Sequence, residues 1–233
     1  MDWEFTRDTF VSLLSAVPLT LALSASAILI GAVLAVGLGM AHISRFYLLR
    51  AFAGAYVFIF RGTPLLVQLY LLYYGLSQFP IVRHSIFWPI LRDPTWCTVI
   101  ALSLNTAAYA SEIIRGGLLS VPLGQIEAAR SCGMSRFLLF RRIVMPLTIR
   151  QALPGYGNEM ISMVKATSLA STVTLMEVTG VAAAIIADTY RVIEVFVIAG
   201  AIYLAINILL TRCIQLAEYR LSPHLRQPRP IQA

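Results

Sequence analysis

Asn105, Tyr109 and Glu112 recur at i, i+4 and i+7 inside an apolar stretch, a spacing that sets all three on one face of a helix. Asn158, Ser162 and Lys165 repeat that spacing further along, with Glu159 beside them. The chemistry such faces offer is recognition, through amide, phenol, hydroxyl, carboxylate and ammonium groups suited to a polar or charged solute. Polar groups face lipid only at a cost, so an intramembrane carboxylate normally faces a bundle interior or a water-filled path. Two readings stand for Glu112: a residue of the path, or the partner of Arg115 one turn on. Arg61 adjoins an expected kink at Gly62 and Pro64 and is either a gate residue or a charge held by carbonyls freed there.

Catalytic chemistry is not indicated. No Gly-x-x-x-x-Gly-Lys-Ser/Thr phosphate loop, Gly-x-Ser-x-Gly elbow or His-Glu-x-x-His helix occurs, so any ATP hydrolysis belongs to another subunit. Cys97, Cys132 and Cys213 are far apart, and His42, His84 and His224 are scattered near segment ends. Neither set has metal-ligand spacing, and no metal or cofactor site is expected. The stripe Tyr70, Tyr73, Tyr74 fits packing or interface anchoring better than substrate stacking, the alternative reading.

A third constellation is structural in type. Gln125 to Cys132 reads as a short helix with Glu127 in its first turn, where the helix dipole favours a carboxylate. Gly133 can end that helix in the left-handed conformation, and Ser135 can cap the next, from Arg136 to Met145. The product is a rigid helix-glycine-helix elbow. Glu127 could instead serve only as half of a surface pair with Arg130.

The elements that must carry these residues are membrane helices. Of 233 residues 58% are hydrophobic and only 12% charged, and the mean hydropathy of +0.78 is high for a soluble domain. The apolar runs match the roughly 20 residues that cross a bilayer. An all-α integral membrane protein with about five transmembrane helices is expected, a single domain over 1–233 with spans near 10–41, 50–78, 94–117, 147–168 and 192–217 and a connecting segment at 120–146. Pro18 is expected to divide a short lead-in from the first span, and Pro154 with Gly155 and Gly157 to break the fourth. Gly31, Gly37 and Gly39 are expected to let a neighbouring helix approach. The three prolines Pro80, Pro89 and Pro94, with Phe87 and Trp88, mark an interfacial loop.

The net charge of +7 follows from Arg gathered in alternate loops, so no nucleic-acid partner is expected. Arg45, Arg50, Arg130, Arg136, Arg141, Arg142, Arg212, Arg220, Arg226 and Arg229 fall on one side of the spans as drawn. The other side takes Arg7, Arg83, Arg92 and Arg191 with most of the acids, Asp2, Glu4, Asp8, Asp93, Glu177, Asp188 and Glu194. The N-terminus is therefore expected outside and the C-terminus in the cytoplasm. Asp2, Glu4 and Asp8 also deny the N-terminus the basic region of a cleaved signal peptide.

Glu127-Ala128-Ala129, then Gly133 and Ile143-Val-Met-Pro146, resemble the EAA loop of ABC-importer permeases. Phe60-Arg61-Gly62-Thr63-Pro64-Leu-Leu-Val-Gln68, Leu104-Asn105-Thr-Ala-Ala-Tyr109, Glu112-Ile-Ile-Arg115-Gly116 and Lys165-Ala-Thr-Ser168-Leu169 are similar to the polar amino-acid branch, nearest the M-type subunits of histidine, octopine and nopaline importers. The resemblance implies a type I importer permease fold in a bacterial inner membrane. It implies coupling to an ABC ATPase dimer, which binds ATP and Mg, through Gln125, Glu127, Ala128, Ala129, Cys132, Gly133 and Ser135. A second, similar permease subunit and an extracytoplasmic solute-binding protein are the other implied partners. The implied cargo is a polar or basic amino acid or an opine-type derivative, along a path of Arg61, Gln68, Asn105, Tyr109, Glu112, Asn158, Glu159, Ser162 and Lys165. Where the family often has Asp, this chain has Ala166. The rival reading is an ATP-independent secondary transporter or channel, normally built from internal repeats, and no matching second half is found.

Overall fold

Residues 3–221 are described by a computed structural model; the expectations placed on Asp2, His224, Arg226 and Arg229 lie outside them. Every regular element among the described residues is helical.

Helix α1 runs unbroken over Trp3–His42 with Pro18 inside it, which corrects the expected division there. Ending the helix in an apolar surrounding would strand several backbone groups, each at several kcal/mol, whereas an internal proline removes one hydrogen bond. Helix α2, Tyr47–Gly62, and helix α3, Leu65–Tyr70, follow. A π turn over Leu71–Gly75 and a 3₁₀ turn over Leu76–Gln78 extend α3. Between α2 and α3 the chain turns by 104°, more than a kink. Thr63 is extended (φ −117°, ψ 145°), because the Pro64 ring bars its predecessor from the helical region.

Two single-turn helices, α4 (Pro80–Arg83) and α5 (Trp88–Leu91), form the loop, with Ile81, Ile86 and Phe87 exposed. Asp93 opens α6, Pro94–Leu119, by accepting from the Thr95 and Trp96 N–H groups. Then come α7 (Leu123–Ser131), α8 (Arg136–Leu139) and α9 (Met145–Ala166). The helix expected to stop near Pro146 instead runs on from α8 into α9 through a π turn over Phe140–Val144, closed by Met145 N–H donating to Phe140 O. The wider turn keeps the Pro146 ring clear of the preceding carbonyls. Pro154 likewise lies inside α9 without ending it. A 3₁₀ stretch, Thr167–Val173, leads to α10 (Val178–Thr189) and α11 (Val192–Leu221).

Helices α1, α6 and α11 are each long and apolar enough to cross a membrane; the bent pairs 47–78 and 136–189, the second turning by 47°, raise the number to five. Helix α6 is the centre, with 67% of its apolar window buried against 28% and 22% for α1 and α11, whose apolar faces turn outward as lipid-facing helices require. The α1–α6 contact depends on missing side chains. A Cβ on Gly31 would lie 2.1 Å from Thr106 Cγ2, and one on Gly39 3.2 Å from Ile114 Cγ2, whereas Gly37 has nothing within 4 Å and takes no part. A second core joins α1, α10 and α11 through Leu13, Val178, Val195 and Ile202.

Candidate functional site

Ending α2 at Gly62 frees carbonyls that a continuing helix would have bonded. Gln68, in the first turns of α3, reaches back: Nε2 donates to Phe60 O (2.9 Å), Thr63 O (3.1 Å) and Thr63 Oγ1 (2.8 Å). Asn105 on α6 completes the clamp, donating to Gln68 Oε1 (3.0 Å) and Phe60 O (3.3 Å). Both side chains are buried. Tyr56 adds a third tie, its hydroxyl donating to Leu104 O at 2.7 Å. The freed carbonyls are thus held by amides; Arg61 lies instead 5.0 Å over the Tyr109 ring.

Beside the clamp lies a cavity of about 290 Å³ between α6 and α9, lined by Asn105, Tyr109, Glu159, Ser162, Met163 and Ala166. The two polar faces therefore meet through four of the expected residues. Glu159 accepts from Thr106 Oγ1 at 2.7 Å. Ala166 presents a methyl group at a lining position where a carboxylate would change the cavity's charge. Asn158 and Lys165 are exposed and do not line this cavity.

On the other side of Tyr109 opens a second cavity of about 690 Å³, bounded also by His42, Arg50, Arg61, Glu112 and Arg115. Glu112 lines this cavity and pairs with Arg115 (Nη2–Oε2 2.8 Å, Nε–Oε1 3.0 Å). Its further partner, His42 (Nδ1–Oε1 2.8 Å), is a site residue that sequence reasoning missed. The only local signal is that His42 follows the charge-free run Thr9 to Ala41; the contact itself spans two helices.

The elbow joins the C-terminal end of α6 to the N-terminal end of α8. Gly133 has φ +75°, and Met134 N–H donates to Ala129 O at 3.2 Å, closing α7 as a left-handed cap does. Ser135 Oγ accepts from Leu138 N–H at 3.3 Å and starts α8. Gln125, Glu127, Ala128 and Cys132 are exposed, while Ala129 is buried. Glu127 makes no salt bridge among the described residues, so the pair with Arg130 does not form. A cavity of about 460 Å³ separates α7 from α9, with Gln125, Ala128, Arg142 and Arg150 on its walls.

Glu177, expected among acids at an outer face, is fully buried. Oε1 accepts from Gly180 N–H (2.8 Å) as the N-cap of α10, and Oε2 accepts from the Tyr203 hydroxyl of α11 (2.6 Å). The signal for it was a carboxylate three residues before a glycine at a helix start.

The family model described as "Binding-protein-dependent transport system inner membrane component" matches residues 27–223. The chain is 59% identical to the octopine transport system permease protein of Rhizobium radiobacter over 228 residues, 98% of this chain and 93% of that one. It is 40% identical to the histidine/lysine/arginine/ornithine transport system permease protein of Escherichia coli K12 over 211 residues, 90% and 89% of the two chains. The crystal structure of an amino acid ABC transporter with histidines superposes with a TM-score of 0.83 at 33% identity, covering 94% of this chain and 99% of that one.

Proposed function

The chain belongs to the family of binding-protein-dependent transport system inner membrane components, and on that premise we propose that its cargo is a polar or basic amino acid or an opine-type derivative. It is a permease subunit of an ABC importer, a multi-pass inner-membrane component rather than an enzyme. The cargo proposal draws support from the octopine and histidine/lysine/arginine/ornithine systems of its relatives. Asn105, Tyr109, Glu159 and Ser162 are its contacts in the smaller cavity. Arg61 and Glu112 extend the path. Gln68 holds the wall, and Asn158 and Lys165 offer their polar face to a second, similar permease subunit.

An extracytoplasmic binding protein delivers the solute, and an ABC ATPase dimer, carrying ATP and Mg, drives the cycle. The N-terminus lies outside and the C-terminus in the cytoplasm, as the distribution of Arg supports. One observation carries the coupling: an exposed α7 with an unpaired Glu127 sits on a capped turn from which helix runs without interruption to Ala166, past Glu159 and Ser162. Pushing Gln125, Glu127, Ala128, Ala129 and Cys132 moves that lever, and the Gly133–Ser135 turn passes the displacement on without folding up.

The test is reconstitution of the four-part complex in proteoliposomes. The cargo is first identified by thermal shift on the binding protein encoded beside this chain. ATP-dependent uptake of that cargo is expected, together with loss of transport-stimulated ATP hydrolysis in Glu127→Lys. Uptake that persists without ATP would instead support the secondary-transporter reading.

A further inference from the structure

The larger cavity holds more positive charge than its own contacts consume. Arg50 and Arg61 stand at i and i+11 on α2, one face and roughly 16 Å apart along the axis. His42 and Arg115 face the same space. Against these basic groups the wall offers one carboxylate, Glu112, which His42 and Arg115 already engage. Arg50 and Arg61 rest over the rings of Tyr47 (6.0 Å) and Tyr109 (5.0 Å) and make no salt bridge among the described residues. The charge of Arg61 reaches Glu159 on α9, but that carboxylate lines the other cavity. A ring contact occupies a guanidinium's flat face and leaves its N–H edge open to bind an oxyanion in bidentate fashion. Gly54, between the two arginines, keeps the wall clear: the nearest atom to a Cβ there is His42 Nε2 at 3.9 Å.

We propose that this cavity is an oxyanion-binding site, with Arg50 as the contact at the rim, near the start of α2, and Arg61 as the contact at the far end of that helix. In the orientation given above the rim is cytoplasmic, so two sources can supply the oxyanion. One is the carboxylate of the transported solute on its way out, which rests on the transport reading above. The other is the phosphate of an anionic lipid headgroup at the inner leaflet. Glu112 does not repel either, because the Arg115 guanidinium is paired with it.

The test uses the assembled complex with Cys97, Cys132 and Cys213 replaced by Ser and Gly54→Cys introduced, held in phosphatidylcholine nanodiscs. Labelling rates are measured with anionic sulfonatoethyl and cationic trimethylammonioethyl methanethiosulfonate, each divided by its rate with free cysteine. The anionic reagent should be favoured about tenfold, and Arg50→Gln with Arg61→Gln should abolish the preference. Phe58→Cys, on the same wall, serves if Gly54→Cys does not assemble.

Inorganic phosphate should slow the anionic reagent in the parent and not in the arginine variants. Slowing by octopine or L-arginine assigns the site to solute, and slowing by phosphatidylglycerol in the nanodisc assigns it to lipid. Equal normalised rates, a preference indifferent to the two arginines, or no protection by any of these anions would overturn the site. Labelling needs neither ATP nor transport. A mistaken cargo therefore leaves the preference and the phosphate protection intact, whereas ATP-driven uptake without them overturns this site alone.

Discussion

Glu177 offers the sharpest stability test in the molecule, because a fully buried carboxylate with two short bonds has few ways to relax. In Glu177→Ala, α10 loses the acceptor for Gly180 N–H, an N-cap contribution of about 1 kcal/mol. The Tyr203 hydroxyl loses its acceptor at 2.6 Å and keeps the Thr179 hydroxyl at 3.1 Å, a loss of about 1–3 kcal/mol. The void left by the side chain adds about 1 kcal/mol more, for roughly 3–5 kcal/mol in all. Backbone adjustment is blocked on one side, since Gly180 sits so close to Leu175 O that a Cβ there would lie 2.2 Å from it. On the other side Thr20 Oγ1 of α1 accepts from Val178 N–H at 3.3 Å. Glu177→Gln keeps the volume and one acceptor, and should cost about 1 kcal/mol. Equilibrium unfolding by dodecyl sulfate in mixed micelles is the assay, run as a double-mutant cycle with Tyr203→Phe. A coupling energy of about 1–2 kcal/mol is expected. Penalties that add to within about 0.3 kcal/mol would refute the pairing.

In the same assay Gly31→Ala should destabilise by about 1–3 kcal/mol, because its Cβ would meet a Thr106 that also donates to Glu159; Gly37→Ala should be silent, and equal effects would contradict the contact. Gln68→Leu, which takes the donor from Thr63 O and leaves Phe60 O with Asn105 alone, should cost about 1–3 kcal/mol and lower uptake more than Asn158→Leu; parity in uptake would remove the clamp from the function. Gly133→Ala should cost about 1 kcal/mol for an alanine at φ +75° and uncouple ATP hydrolysis from uptake without lowering basal hydrolysis, read from the ratio of the two rates.

What was legible in the sequence was what adjacent residues decide. The Gly133 turn and the Ser135 cap depend on groups within a few positions of one another, and few residue types fit each role. The break at Gly62 to Pro64 was legible for the same reason, although its 104° turn is not a local property. It persists because Gln68 and an Asn105 on another helix replace the lost backbone partners. Asn105 and Gln68 carry the polar groups expected on a path, yet one network uses both. Spacing on a helix shows that a polar group turns inward; what it meets there is set by the opposing helix.

The prolines show the same limit from the other direction. Pro18, Pro146 and Pro154 looked like Pro64 in type, and only Pro64 ends a helix. A proline in lipid stays helical when the alternative exposes more backbone than it saves. Pro64 is the exception that the fold can tolerate, because buried amides stand ready on α3 and α6 to satisfy what the break releases. The break lies beside both cavities: Tyr109 lines the two of them, and Arg61, next to the break, stands over its ring in the larger one. The proposed path and the proposed anion site thus both depend on one interrupted helix, whose cause is local and whose stability is not.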